Sequence, residues 1–134
     1  MDLSVVFKRV IVSAVVVIIM SFHVTPVQAH AQLVKTEPAR RAVLDKAPTE
    51  VRLWFSEEIE GFYTTLSVLD ADKTPVTEAK PHVGSDDPKL VVLPLPELPD
   101  GKYSVKFRVL SVDGHIVESS FNYTVRNKNK VQDK

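Results

Sequence analysis

Between residues 51 and 125 apolar and polar side chains alternate in short runs. Val51, Leu53 and Phe55 are interleaved with Arg52 and followed by Ser56. Tyr103, Val105, Phe107 and Val109 are interleaved with Lys102, Ser104, Lys106 and Arg108, and Val117, Phe121, Tyr123 and Val125 with Glu118, Ser120, Asn122 and Thr124. Successive side chains of an extended chain point to opposite sides. Each run therefore predicts a strand with one buried and one wet face. Leu66 with Val68, and the apolar run Leu90 to Leu93, predict two more strands, and Leu33-Val34 starts the first.

Turn residues separate these runs: Glu37-Pro38, Ala47-Pro48, Gly61, Lys73 to Pro75, Gly84 through Pro88, and Pro99-Asp100-Gly101. After Ala29 no stretch keeps a helical period for more than a couple of turns. Residues 39–46 either form one short helical turn or cross between sheets. About seven short strands in one modest domain predict an all-β fold, an antiparallel Greek-key β-sandwich. Residues 127–134 are polar, lack apolar anchors and are expected to fray.

The first 29 residues read differently. Lys8 and Arg9 precede an apolar run from Val10 to Met20, interrupted only by Ser13, and Val27-Gln28-Ala29 has the small-x-small form of a cleavage site. This is the layout of an export signal. The run is about half the roughly 20 residues needed to span a bilayer, and Pro26 breaks the stretch after it. The expected product is a soluble, exported chain without a membrane anchor, beginning at His30, with one domain over 30–126 and a tail over 127–134.

Charge and sulfur narrow the chemistry. The chain has 17 Lys and Arg against 17 Asp and Glu; without Lys8, Arg9 and Asp2 the remainder holds 15 against 16. A nucleic-acid binder driven by phosphate neutralisation needs a basic excess, so no nucleic-acid partner is expected. There is no cysteine, and both methionines, Met1 and Met20, fall in the leader. Disulfides, thiolate zinc sites, iron–sulfur clusters and blue-copper centres are excluded. Any metal held by residues 30–134 must sit on nitrogen and oxygen.

No Gly-x-Ser-x-Gly elbow, phosphate-cradling glycine loop or His-Glu-x-x-His helix is present. Glu57-Glu58 and Asp86-Asp87 read as solvated surface charge. His23 leaves with the leader, and His82, in a segment rich in turn residues, reads as a solvated loop histidine. His30 stands apart, because its free α-amine and imidazole Nδ1 would close a chelate ring around a metal, both losing protons cheaply near neutral pH. The alternative is that cleavage merely falls before a histidine. His115 ends Ser111-Val112-Asp113-Gly114-His115, where Asp-Gly between alternating strands signals a hairpin. A turn centred on Asp113-Gly114 brings a carboxylate and an imidazole together at one end of the sandwich. An extended chain would put them on one face at i and i+2.

Taken together these segments resemble the CopC family of exported copper-binding proteins, near its stand-alone YobA-like branch. The resemblance rests on Ala29-His30-Ala31-Gln32-Leu33, Glu37-Pro38-Ala39, Ala47-Pro48, Val51 through Glu57, Leu98 through Tyr103, Phe107 through His115, and Phe121. It implies a cupredoxin-like or immunoglobulin-like sandwich binding one Cu(II) through His30 (amine and imidazole), Asp113 and His115. The Glu of the family's Phe-Ser-Glu motif lies near that site in some members and corresponds to Glu57, here either a support for the ligands or a strand-end surface charge. Some members carry a second, methionine-rich Cu(I) site, which residues 30–134 cannot supply.

A set of imidazoles, amine and carboxylate suits tetragonal Cu(II). The expected function is a non-catalytic copper carrier for copper homeostasis or resistance, periplasmic or secreted, which sequesters copper or passes it to a membrane transporter of the CopD type. Two other classes stand beside it. One is a copper-dependent oxidative enzyme with an N-terminal histidine brace, as in lytic polysaccharide monooxygenases. The other is a plain immunoglobulin-like module whose histidines are incidental.

Overall fold

A computed structural model describes residues 2–20 and 31–128. The cleavage segment, with His23 and His30, lies outside the described residues, as do 129–134. Helix α1 covers Leu3–Met20, and among the described residues no helix is long and apolar enough to cross a membrane. The rest is a two-layer β-sandwich.

One sheet has the order β1 (Leu33–Glu37), β3 (Glu50–Phe55), β6 (Leu90–Pro94), β5 (His82–Val83). The other has β2 (Val43–Leu44), β8 (Ile116–Val125), β7 (Gly101–Leu110), β4 (Thr65–Leu69). All pairs are antiparallel except β2 with β8, which is parallel. The expected sandwich is therefore present, with this one parallel exception. The chain leaves β1 through a cis Glu37–Pro38 bond, and residues 39–46 cross between sheets to place β2 beside β8. No helical turn forms there.

The alternation translates directly into burial. Val51, Leu53 and Phe55 of β3, Tyr103 to Val109 at odd positions of β7, and Phe121, Tyr123 and Val125 of β8 fill the core. Phe55 meets Phe107 edge-on across the sheets at 5.8 Å. Each such side chain contributes about 1.5–3 kcal/mol by leaving water. Strand β6 is buried at Leu90 through Leu93, which is why its text shows no alternation. Tyr103 sends its hydroxyl back to the Pro99 carbonyl, a corner typical of immunoglobulin-like sandwiches. Among the described residues the core draws on residues 51–125, with Leu33 and Leu44 packed against it.

Two expectations need correcting. His82 is not in a loop but in β5, opposite Val92, though it is exposed as expected. Residues 127 and 128 do not fray: the Asn127 N–H donates to Asp100 Oδ1, and Lys128 lies 3.0 Å from Asp45.

Candidate metal centre

The hairpin between β7 and β8 is closed by Ser111–His115. The Ser111 N–H donates to the His115 carbonyl at 2.8 Å, and the Gly114 N–H to the Ser111 carbonyl at 2.9 Å. The β-turn is thus centred on Val112-Asp113, one residue earlier than the sequence suggested. Gly114 follows it at φ +90°, the left-handed residue that lets a three-residue loop rejoin the ladder. The anticipated closeness of Asp113 and His115 survives this shift: His115 Nδ1 lies 3.1 Å from Asp113 Oδ2.

Beneath the pair is a residue that the sequence pattern alone left without a role. Ser111 is 1 % exposed. Its hydroxyl donates to Asp113 Oδ1, while its Oγ accepts the His115 backbone N–H at 3.1 Å. The Ser111 hydrogen bond, and after it the His115 contact, hold the Asp113 carboxyl below the ordinary aspartate range. A signal existed. Ser111 continues the inward odd-numbered set Tyr103, Val105, Phe107 and Val109, so period two alone placed a buried hydroxyl beside the ligand pair.

Asp113 and Glu57 share a cleft of about 320 Å³, lined also by Glu58, Lys89 and Val112. Backbone contacts build it. The Val112 N–H donates to the Glu58 carbonyl at 2.9 Å, and Ile59 bridges to Ser111. Lys89 Nζ donates to the Ser56 carbonyl at 3.0 Å. Glu57, left open between a supporting role and surface charge, is half-buried beside Asp113.

The start of β1 is tied to the same end. Gln32 N–H donates to Ser56 Oγ at 2.9 Å, and Ser56 N–H to the Gln32 carbonyl at 2.9 Å. Ala31 is buried. The described segment 31–128 therefore begins next to the residue preceding Glu57, and His30 lies outside the described residues. Among the described residues no three His, Cys, Asp or Glu side chains form a metal-holding group. Asp113 and His115 make a pair, with Glu57 on the shared cleft.

Comparison with known proteins agrees with this architecture. The CopC domain model matches residues 33–126. Protein YobA of Escherichia coli strain K12 is 31 % identical over 105 residues, spanning 77 % of this chain and 85 % of its own. The crystal structure of CopC from Methylosinus trichosporium OB3b superposes with a TM-score of 0.68 at 40 % identity, over 72 % of this chain and 93 % of that one. PcoC, a methionine-rich copper resistance protein from Escherichia coli, superposes at 0.64 and 30 % identity over 73 % and 100 %. By sequence and by fold, the chain belongs to the CopC domain family, copper-binding and copper-resistance carriers rather than enzymes.

Proposed function

We propose that the chain is exported, loses residues 1–29, and binds one Cu(II) through the His30 amine and imidazole, the Asp113 carboxylate and the His115 imidazole, with Glu57 beside them. The observation that carries this reading is the meeting of two segments at one end of the sandwich. Asp113 and His115 stand 3.1 Å apart there, and Ala31-Gln32 is strapped to Ser56 at the rim of the same region. One peptide unit, about 3.8 Å between Cα atoms, separates Ala31 from His30.

The donors fit the metal. Asp113, anionic at neutral pH like any aspartate, has its carboxyl lowered further by the Ser111 hydrogen bond, and nitrogen with carboxylate oxygen suits tetragonal Cu(II), the tightest-bound divalent ion of its row. Copper is cargo here. The protein sequesters it in the periplasm, or outside a cell without an outer membrane, and delivers it to a membrane transporter of the CopD type. A setting in copper transport is supported by the copper transport protein CutJ of Bacillus subtilis, in which a segment 26 % identical to this chain occupies 18 % of the length.

The mechanism makes the site conditional on processing. Before cleavage the nitrogen of residue 30 is an amide, with no lone pair to offer a metal unless its proton is removed. Cleavage turns it into an amine and closes the chelate ring. Cu(II) titration should compare the chain beginning at His30 with the same chain carrying one glycine before it. The extended form should bind more weakly by orders of magnitude. Equal affinities would overturn the chelate, even if His115 proved to be a ligand.

A further inference from the structure

The two outer faces of the sandwich treat their cations differently. Outside β1 and β3, Lys35 lies 2.6 Å from Glu37, and Arg52 lies 3.8 Å from Glu37 and 3.4 Å from Glu50. Both cations also sit over the Trp54 ring, at 4.4 and 4.9 Å. That face is internally neutralised. Outside β7, Lys102 and Lys106 have no carboxylate partner among the described residues, and Arg108 has only Glu118, at 3.7 Å. At about 3.4 Å per residue, Lys102 to Arg108 is a stripe about 20 Å long.

Lys102 also lines an open cleft of about 420 Å³ with Arg41 and Lys73, neither of them ion-paired among the described residues. The Arg41 N–H donates to the Asn122 carbonyl at 2.7 Å, which fixes this residue beside β8. The acid in the cleft wall, Asp70, is engaged by the backbone N–H groups of Asp72 and Thr74 at 2.9 and 3.0 Å. Arg41, Lys73 and Lys102 thus line one cleft with Asp70, and Lys106 and Arg108 continue the cationic stripe along β7, with Glu118 opposite Arg108.

Apolar groups stand at the margins of this face. Ile116, opposite Leu110, and Val43, opposite Thr124, are exposed at its two ends. At the corner leading into β4, the 3₁₀ turn Gly61–Tyr63 holds Phe62 at 91 % exposure, its ring 5.1 Å from that of exposed Tyr63. Folding does not explain a phenylalanine left almost wholly in water, and with Tyr63 it makes an exposed aromatic pair of the kind that marks an interaction surface.

We infer that this face docks on an anionic lipid bilayer. The strand face brings its lysines and arginines to headgroup phosphates, and Phe62, Tyr63 and Ile116 enter the interface, where amphipathic rings and aliphatic chains settle between water and hydrocarbon. A nucleic acid or an acidic protein would match the charge. Charge underlain by an apolar layer is the property of a membrane, and the aromatic corner favours it.

The test uses the metal-free chain from His30 to Lys134, the processed form proposed above, and is read independently of copper; full-length chain run beside it separates a failure of that reading from a failure of this one. Co-sedimentation is measured with vesicles of phosphatidylglycerol and phosphatidylcholine, and with phosphatidylcholine alone. Binding is expected on the anionic vesicles, little on the zwitterionic ones, and release as salt rises from about 0.05 M to about 0.5 M. Lys102→Gln with Lys106→Gln should lower partitioning about 30-fold, from about 1 kcal/mol per cation near such a surface. Phe62→Ser should lower it several-fold with an unchanged circular dichroism spectrum. No binding to anionic vesicles, equal binding to both compositions, or indifference to the lysine changes would overturn the proposal. So would retention on heparin without vesicle binding, which would identify a polyanion or acidic protein as the partner.

Discussion

The Ser111 hydroxyl and the Asp113 carboxylate are joined by a hydrogen bond that lies beneath the loop carrying the candidate copper ligands. The same Oγ accepts the His115 backbone N–H, so one buried atom fixes both the side chain of Asp113 and the backbone of His115. Orientation of this kind reduces what the ligands must give up in freedom when a metal arrives. Ser111→Ala should therefore act twice. It removes the acceptor of a part-buried N–H and the donor to Asp113, at about 1 kcal/mol of stability in urea unfolding. It should also weaken Cu(II) binding about 10- to 100-fold, the usual scale for losing a group behind a ligand. Unchanged copper affinity with reduced stability would confine Ser111 to a structural role.

The pair itself separates by substitution. His115→Ala removes an imidazole from an exposed loop and should greatly weaken Cu(II) binding while leaving the fold intact. Asp113→Ala should cost less if the carboxylate is a weak or hydrogen-bonding ligand. His82→Ala is the control, since His82 is exposed in β5 and does not line the Asp113 cleft. Isothermal titration on the three variants decides the order. Full affinity in His115→Ala would put the site elsewhere.

The acid side of the stability curve reports on the same hydrogen bonds. Folding lowers the Asp113 pKa, first through Ser111 and then through His115. A depressed folded pKa means that the unfolded chain takes up the proton first. The stabilisation is therefore complete above the unfolded value, near about 3.9, and is lost as pH falls through the folded one. Glu37 contributes in the same direction through its hydrogen bond to Lys35. In the metal-free chain, Asp113→Asn should flatten the fall of the urea midpoint below about pH 4 without removing it, because Glu37 remains. An unaltered acid limb would mean that the Asp113 bonds contribute nothing in solution.

Much of this fold is legible in the sequence, for identifiable reasons. Strands β7 and β8 announce themselves because each is long enough to repeat its period several times, and β6 because a buried run needs no alternation. The two-residue strands β2 and β5 carry no period at all. Val43-Leu44 and His82-Val83 become strands only because β8 and β6 offer them a ladder. The Asp-Gly signal located the hairpin correctly but misplaced its centre by one residue, since glycine serves the residue after the turn rather than the turn itself. Sequence alone did not expose the charge segregation between the sheet faces. Composition sums over the surface, while pairing depends on which cations share a face with which acids.

Sulfur content bears on which oxidation state the proposed site prefers. PcoC is methionine-rich, whereas here Met1 and Met20 lie upstream of every strand. The chain from His30 should bind one copper, as Cu(II), far more tightly than Cu(I), which prefers thioether or thiolate. Competition against a Cu(I) chelator, beside a Cu(II) titration, measures both. A second tight site, or comparable affinity for the two ions, would count against the nitrogen–oxygen set.

Gly114 offers a test of the loop that touches no ligand. Its φ of +90° is a conformation side chains rarely adopt, yet a Cβ placed there would meet nothing within 4 Å. Any penalty for Gly114→Ala is thus backbone strain and not a clash, and should be about 1–2 kcal/mol. Asparagine tolerates left-handed backbone better than alanine does, so Gly114→Asn should cost less. If the turn presents Asp113 and His115 to the metal, Cu(II) affinity should follow the same order, with glycine tightest and alanine weakest. Urea unfolding and copper titration on both variants supply the two rankings. Stability following that order while affinity stays flat would show that the ligands tolerate a loosened turn, and that Ser111 rather than Gly114 sets their geometry.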